Sequence, residues 1–248
     1  MKSGIRIEDV SFRYPNKQES LTRINLTIAK GAFFGITGVN GSGKSTLTYL
    51  INGLIPHSIP GTLTGGVFVD GVDTRAKSVS FFSKYVGMVF QNPDFSLFNL
   101  TVAEEIAFGL KNLSGHVHHK KIEEALGLVN LKGYETRDPQ TLSFGEKQKV
   151  CLASVLALDV SYIVLDEPTA MLDWKSSLEL YRLLRKLNAQ GKTIIVVEHD
   201  TDFLWNFASD TLILDNGRVK AVGSSKKVFH NHDMLAKLGI KQPGRINL

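Results

Sequence analysis

Gly38-Val39-Asn40-Gly41-Ser42-Gly43-Lys44-Ser45 carries more structural information than any other segment of this chain. It fits G-x-x-x-x-G-K-[ST], a pattern in which glycines let the backbone approach phosphate oxygens and turn several N–H groups inward. An apolar run, Phe33–Thr37, precedes it, and a segment of helical character, residues 45–52, follows it. Since a helix N-terminus favours an anion, we predict a strand, a phosphate-binding loop and a helix, rather than a glycine-rich connector that binds nothing.

The residues of this loop predict how a nucleoside triphosphate and Mg²⁺ would be held. Lys44 would bring a positive charge to the terminal phosphates, and the Ser45 hydroxyl would ligate Mg²⁺. The other predicted ligands of the nucleotide are Gly38, Asn40, Gly41, Ser42, Gly43 and Thr46.

Two acids end a second apolar segment, Tyr162-Ile163-Val164-Leu165-Asp166-Glu167. A buried parallel strand offers polar groups at its carboxyl end, where ligands collect in open α/β sheets. We predict that Asp166 holds Mg²⁺ through its water shell and that Glu167 orients and deprotonates the attacking water. Without the phosphate loop, a strand cap before the turn at Pro168 would explain the segment equally well.

Composition limits the class of protein. The chain has 248 residues and no run near the roughly 20 apolar residues that cross a bilayer. The N-terminal segment has no apolar core of a signal sequence, and a single cysteine, Cys151, excludes an internal disulfide, so we expect the cytoplasm. The net charge of +5 lies in scattered short runs, which favours a solvated basic surface over a nucleic-acid site.

Hydrophobic periodicity predicts a β-rich first third, helices in the middle, and strands alternating with helices afterwards. Ile24, Leu26 and Ile28 alternate with polar residues, and an Asn216-Gly217 turn would pair the last strands. We predict an α/β fold with a mostly parallel sheet, an N-terminal antiparallel β region and a helical insertion. The predicted segments of a single domain over residues 1–248 are a core of about 1–92 and 160–225, a helical subdomain of about 93–159, and a tail of about 226–248.

Further motifs resemble those of the ATP-binding cassette (ABC) family of P-loop ATPases. Leu142-Ser143-Phe144-Gly145-Glu146-Lys147-Gln148 is similar to the family signature and lies shortly before the second acidic strand. The other motifs of the family occur in the same order along this chain. Tyr14 corresponds to the aromatic residue that stacks on adenine, and Gln91 corresponds to the glutamine that senses Mg²⁺. Asp173 corresponds to the D-loop aspartate, and His199 corresponds to the switch histidine.

This resemblance implies ATP hydrolysis between two ATPase subunits, the same or related, paired head to tail. Ser143, Gly145 and Glu146 would bind the ATP held by the partner, and Asp173 would reach across the dimer. Glu167, His199 and Gln91 would be the catalytic residues, with Ser45, Gln91 and Asp166 at the metal. Phe144 and Glu146 depart from the usual LSGGQ, and Ala170 replaces a D-loop serine, but the retained Glu167 implies turnover.

The segment from Val89-Phe90-Gln91-Asn92-Pro93-Asp94 to residue 110 resembles the ATPases of energy-coupling-factor (ECF) importers, which take up vitamins or cobalt and nickel ions. That resemblance implies a transmembrane coupling subunit, a membrane-embedded substrate-binding subunit and a place on the cytoplasmic face of the membrane. No nucleic acid is expected. A soluble non-transport ABC ATPase and a regulatory domain with little turnover are the alternatives.

Several residues stay open between a functional and a structural interpretation. Phe95, Leu97, Phe98 and Leu100 could form a groove for a helix of the membrane subunit or could be ordinary core. His116, His118 and His119 lie in a polar connector, where solvated side chains are more typical than a metal site. The tail, with Met234, Leu235 and Leu238 at helical spacing, could bind a partner or pack on the domain.

Overall fold

The structure is a computed structural model that describes residues 3–15 and 17–246. In chain order its strands are β1 Gly4–Arg13, β2 Glu19–Ala29, β3 Phe33–Thr37, β4 Thr62–Val69, β5 Val72–Asp73, β6 Val86–Val89, β7 Tyr162–Asp166, β8 Thr193–Val197, β9 Asp210–Asp215 and β10 Arg218–Ser224. Its α-helices are α1 Lys44–Ile51, α2 Leu54–His57, α3 Val79–Phe82, α4 Val102–Ser114, α5 His119–Leu128, α6 Phe144–Ala157, α7 Trp174–Ala189, α8 Thr201–Phe207, α9 Ser225–Phe229 and α10 His232–Lys237. Within those residues, no helix combines the length and apolar character needed to cross a bilayer.

Two sheets form the β framework. An antiparallel sheet has the order β2-β1-β4-β5, and Ile24, Leu26 and Ile28 on β2 face its buried side, as their alternation predicted. The other sheet has the order β10-β9-β3-β8-β7-β6, in which, over the described residues, β9–β10 is antiparallel and the remaining neighbours are parallel. The predicted fold class is therefore confirmed, with the Asn216-Gly217 turn joining β9 to β10 in the left-handed region.

The mostly parallel sheet is covered on both faces. Every residue of β3, β7 and β8 is buried, which explains why these strands are continuous apolar runs rather than alternating ones. One apolar cluster joins this sheet to α4, α5, α6 and α7, and a second joins it to the antiparallel sheet and α1. The carboxyl ends of β3, β6, β7 and β8 consequently meet at one edge, where ligands bind in sheets of this kind.

Helices α4, α5 and α6 lie between β6 and β7 in the chain, where the helical insertion was predicted. A capping box starts α4, because the Thr101 hydroxyl accepts a hydrogen bond from the Glu104 backbone N–H and the Glu104 carboxylate accepts one from the Thr101 backbone N–H. At the C-terminal end, Leu235 of α10 is fully buried and Met234 and Leu238 pack against the core. These tail residues therefore pack on the domain.

Candidate functional site

The loop between β3 and α1 has the backbone that close contact with phosphate requires. Gly38, Gly41 and Gly43 have φ values of 149°, 77° and 102°, which disfavour any residue with a Cβ. A Cβ on Gly38 would also overlap the carbonyl oxygen of Leu214, whereas the space around Gly41 is open. The glycines thus serve both the turn itself and its close packing against β9.

Lys44 is folded back over this loop. Its Nζ donates hydrogen bonds to the carbonyl oxygens of Gly38 at 2.9 Å and Val39 at 3.0 Å. Burial lowers the pKa of the ammonium, while the nearby carboxylates of Glu167 and Asp166 raise it. A buried cation held beside open glycine backbone is suited to an anionic ligand, since an anion compensates the desolvation of the charge.

Asp166 ends β7 next to Ser45. The aspartate is 4% exposed, and its Oδ1 has no hydrogen-bond partner among the described residues. Burial raises the pKa of this carboxyl, and the Ser45 hydroxyl counteracts the rise by hydrogen bonding. An unsatisfied buried carboxylate oxygen beside a hydroxyl fits Mg²⁺, which prefers oxygen ligands and is bound by one or two carboxylates plus substrate phosphates.

Such a site needs no cage of protein ligands. No group of three or more His, Cys, Asp or Glu side chains suited to a metal occurs in residues 3–15 and 17–246, and that range includes His116, His118 and His119.

The carboxylate of Glu167 joins Gln91 and His199. Gln91 Nε2 donates to Glu167 Oε2 at 2.8 Å, and His199 Nε2 lies 2.9 Å from Glu167 Oε1. An ionised carboxylate only accepts hydrogen bonds, so His199 carries its proton on Nε2 in this contact. The three residues predicted to be catalytic therefore meet at one point, although they follow β6, β7 and β8 and are far apart in sequence.

The backbone of Glu167 is also unusual. Its φ of 48° lies in the left-handed region, which a glutamate seldom adopts, and its N–H donates to the Val197 carbonyl oxygen at 3.0 Å. Outliers of this kind concentrate at functional sites, where the surrounding structure enforces them.

Tyr14 borders the loop from the antiparallel sheet. Its hydroxyl lies 3.0 Å from Thr46 Oγ1, and its half-buried ring packs edge-on against Phe12 at 4.9 Å. This contact places an aromatic ring beside the first turn of α1, and the adenine-stacking role of Tyr14 stays a prediction.

The signature residues form the start of α6. Ser143 caps the helix, and the Glu146 side chain accepts hydrogen bonds from the Ser143 backbone at 2.9 Å and hydroxyl at 2.8 Å. Tyr134 donates to the other Glu146 oxygen at 2.8 Å. The Glu146 carboxylate is therefore already engaged within the insertion, and Phe144 is half-buried in the same turn.

Asp173 has a comparable local role. It caps α7 by accepting a hydrogen bond from the Ser176 backbone N–H at 2.8 Å. In the described part of the chain, no hydrogen bond connects Ser143, Glu146 or Asp173 to the phosphate loop. The structure thus brings together the loop, the acids, Gln91 and His199, but leaves the signature and Asp173 apart from them.

Glu198 was missed in the sequence, although it is buried beside His199 and bonded to Thr169. The available signal was an acid directly after the apolar strand Thr193–Val197, the same arrangement that identified Asp166.

Both the family model and the relatives that match this chain are those of ABC transporters. The family model for ABC transporters matches residues 21–170. A protein of Pyrococcus horikoshii named as an ABC transporter ATP-binding protein is 49% identical over 248 residues, covering 98% of this chain and 87% of the relative. A protein of Clostridium acetobutylicum with the same description is 39% identical over 243 residues, covering 96% and 85%.

Solved structures agree with these relatives. The structure of cbiO1 from Clostridium perfringens, part of the ABC transporter complex cbiONQ, has a TM-score of 0.81 at 28% identity and covers 96% of this chain and 95% of its own. The cassette MJ0796, solved as a dimer bound to ADP and Pi, has a TM-score of 0.78 at 29% identity, covering 89% and 98%. With the phosphate loop and paired acids, these similarities establish that the chain belongs to the ABC transporter family, as an ATP-binding ATPase subunit.

Proposed function

We propose that this subunit hydrolyses ATP at a site completed by a second ATPase subunit and thereby energises uptake through an ECF-type importer. The main observation in favour of hydrolysis is the position of the Glu167 carboxylate, which contacts both Gln91 and His199. Lys44 and Asp166 lie at the same edge of the sheet. Phosphoryl transfer asks a protein mainly for positioning and charge compensation, and this arrangement supplies both.

In the proposed site the phosphates lie in the Gly38–Ser45 loop, and Tyr14 stacks on the adenine. Bound Mg²⁺ would neutralise charge on the terminal phosphates, and Ser45, Asp166 and Gln91 would hold it. Glu167 orients a water and takes its proton, while His199 contacts the γ-phosphate and the water. The remaining proposed ligands of the nucleotide in this subunit are Asn40, Gly41, Ser42, Gly43, Lys44 and Thr46.

The separation of the signature from the phosphate loop supports a composite site. Ser143 and Gly145 begin α6, and backbone N–H groups at a helix start can bind the far side of a phosphate held by another subunit. We propose that Ser143, Gly145 and Glu146 act on the partner's ATP and that Asp173 contacts the partner. We also propose that residues of about 93–159 act as a subdomain between a core of 1–92 and 160–225 and a tail of 226–248.

An exposed apolar surface supports a membrane partner. Phe95, Phe98 and Leu100 are 89%, 64% and 81% exposed, and the Phe98 ring packs edge-on against Phe108 at 4.9 Å. Leu97, by contrast, is 4% exposed and belongs to the core. Neighbouring large apolar side chains left in water are typical of an interaction site. We propose that this surface, formed by Phe95, Phe98, Leu100 and Phe108, receives a helix of the transmembrane coupling subunit.

The importer class is supported by similarity to cbiO1, which is part of a cbiONQ complex, and by the sequence around Gln91. We therefore place the chain on the cytoplasmic face of the membrane, with a coupling subunit and a membrane-embedded substrate-binding subunit. The transported substrate would be a vitamin or a cobalt or nickel ion.

Purification of the tagged chain from membranes in mild detergent tests this proposal. We expect a second ATPase and two integral membrane proteins to be recovered with it. Phe98→Asp should remove the membrane subunits while leaving folding and ATP binding unchanged, because Phe98 is largely exposed. Val117→Asp, at an exposed apolar residue of the connector before α5, is the matched control and should retain them. Recovery of the chain without any membrane protein would contradict the transport function.

A further inference from the structure

Glu198 lies between β8 and the switch histidine and is 3% exposed. Its two carboxylate oxygens accept hydrogen bonds from different parts of the structure. Oε1 accepts from the backbone N–H groups of His199 at 2.9 Å and Asp200 at 3.2 Å. Oε2 accepts from the hydroxyls of Thr169 at 2.6 Å and Tyr181 at 3.4 Å. One buried side chain therefore joins the turn at His199 to the segment that follows Glu167.

Folding alone does not explain this arrangement well. Helix α8, which starts after the turn, already has its own cap, because Asp200 accepts a hydrogen bond from the Asp202 backbone at 3.0 Å. Burial raises the pKa of Glu198 to about 6 despite the hydrogen bonds that lower it, so holding a charge here opposes folding. Burying the Glu198 carboxylate costs free energy, and four hydrogen-bond donors nevertheless hold it in place. This combination suggests that Glu198 has a role in the geometry of the site.

Each of the two segments that Glu198 joins carries a residue with a proposed role in ATP hydrolysis. On one side the His199 side chain reaches Glu167 at 2.9 Å. On the other side the chain runs from Thr169 to Asp173, which caps α7 and is proposed to contact the partner subunit. A short hydrogen bond at 2.6 Å to a charged acceptor is among the stronger contacts available to a hydroxyl.

We propose that Glu198 is a positioning residue, which fixes the switch turn against the Thr169–Asp173 segment so that His199 keeps its place on Glu167. We make this inference on the basis of the proposed roles of His199 and Glu167. Contact of Asp173 with a partner would then be transmitted to the switch histidine through Thr169 and Glu198, without any direct contact between Asp173 and His199.

Thr169→Val tests this link because it removes the hydroxyl and keeps the side-chain volume, leaving the hydrogen bonds of Glu198 to the turn in place. We expect kcat for ATP hydrolysis to fall about tenfold or more while KM for ATP changes little, since small displacements of a catalytic group can cost up to about a hundredfold. Thr169→Ser retains the hydroxyl and should recover most of the activity. Tyr181→Phe removes the longer bond to the same oxygen and is the matched control, with kcat unchanged.

The dependence on His199 separates this inference from the proposed function. If Thr169 acts through the switch histidine, Thr169→Val should have no further effect on kcat in a His199→Ala background. A full additional loss in that background would overturn the link, as would a Thr169→Val protein with normal kcat and a lowered melting temperature. If His199→Ala alone hydrolyses ATP normally, the proposed role of the switch histidine fails instead.

Discussion

Replacing Glu167 by glutamine changes the chemistry of the site while disturbing its shape very little. The amide oxygen can still accept the hydrogen bond from Gln91, which is 2.8 Å long in the structure, and the amide NH₂ can face His199 once the histidine proton moves to Nδ1. What disappears is the negative charge and the ability to take a proton. We therefore expect Glu167→Gln to bind ATP normally and to lose hydrolysis.

The size of the loss follows from the role assigned to Glu167. General base catalysis raises a rate about 10²- to 10⁴-fold, which corresponds to a decrease of about 3–5 kcal/mol in the activation free energy. The measurement is kcat by phosphate release, with ATP affinity measured separately by equilibrium binding. Size-exclusion chromatography with Mg-ATP should show a longer-lived dimer, because the bound ATP is no longer consumed.

A matched control makes the result specific. Glu124→Gln makes the same chemical change on the exposed face of α5, where the carboxylate lies 3.9 Å from Lys120. Exposed ion pairs of this kind contribute little, so kcat should stay within about twofold of the parent. A Glu167→Gln protein that hydrolyses ATP at the parent rate would refute the assignment of Glu167 as the base.

Two further substitutions and one labelling measurement test other parts of the structure. Lys44→Ala should largely abolish ATP binding in calorimetry, because it removes the buried cation of the loop; retained affinity would contradict its role. Gly38→Ala should lower the melting temperature, since the left-handed backbone costs about 1–3 kcal/mol before the overlap with Leu214 is counted; an unchanged melting temperature would contradict this geometry. Cys151, whose thiol pKa burial raises to about 12, should resist thiol reagents until the chain is unfolded; rapid labelling of the native protein would contradict its burial.

The sequence predicted those parts of the fold that depend on local pattern. A pattern over a few neighbouring residues was enough to predict these parts. They are the alternating strand β2, the continuously apolar strands β3, β7 and β8, and the glycine loop. Short elements such as α8, Thr201–Phe207, were not predicted, because one or two turns contain too few residues to show a helical period.

The features that the sequence left open or did not indicate depend on tertiary contacts. Phe95, Leu97, Phe98 and Leu100 appear alike in a sequence, yet Leu97 is buried and the other three are exposed, because an irregular segment has no period that assigns its residues to faces. Glu198 went unnoticed for a related reason. Its partner Thr169 lies 29 residues away, and a single acid after a strand does not show which donors it will meet.

The hydrogen bonds of Glu167 also indicate how the proposed partner subunits would influence hydrolysis. Each carboxylate oxygen accepts one hydrogen bond, one from Gln91 and the other from His199, and each still has a lone pair that can accept a hydrogen bond from an attacking water. The orientation of the carboxylate toward that water depends on the segment that carries Gln91 and on the turn that carries His199. Both segments lead away from the phosphate loop, the first to the exposed apolar surface around Phe98 and the second, through Glu198, to Thr169 and Asp173. Contact with the proposed membrane subunit or the proposed second ATPase would therefore act on the two segments that orient the Glu167 carboxylate toward its water.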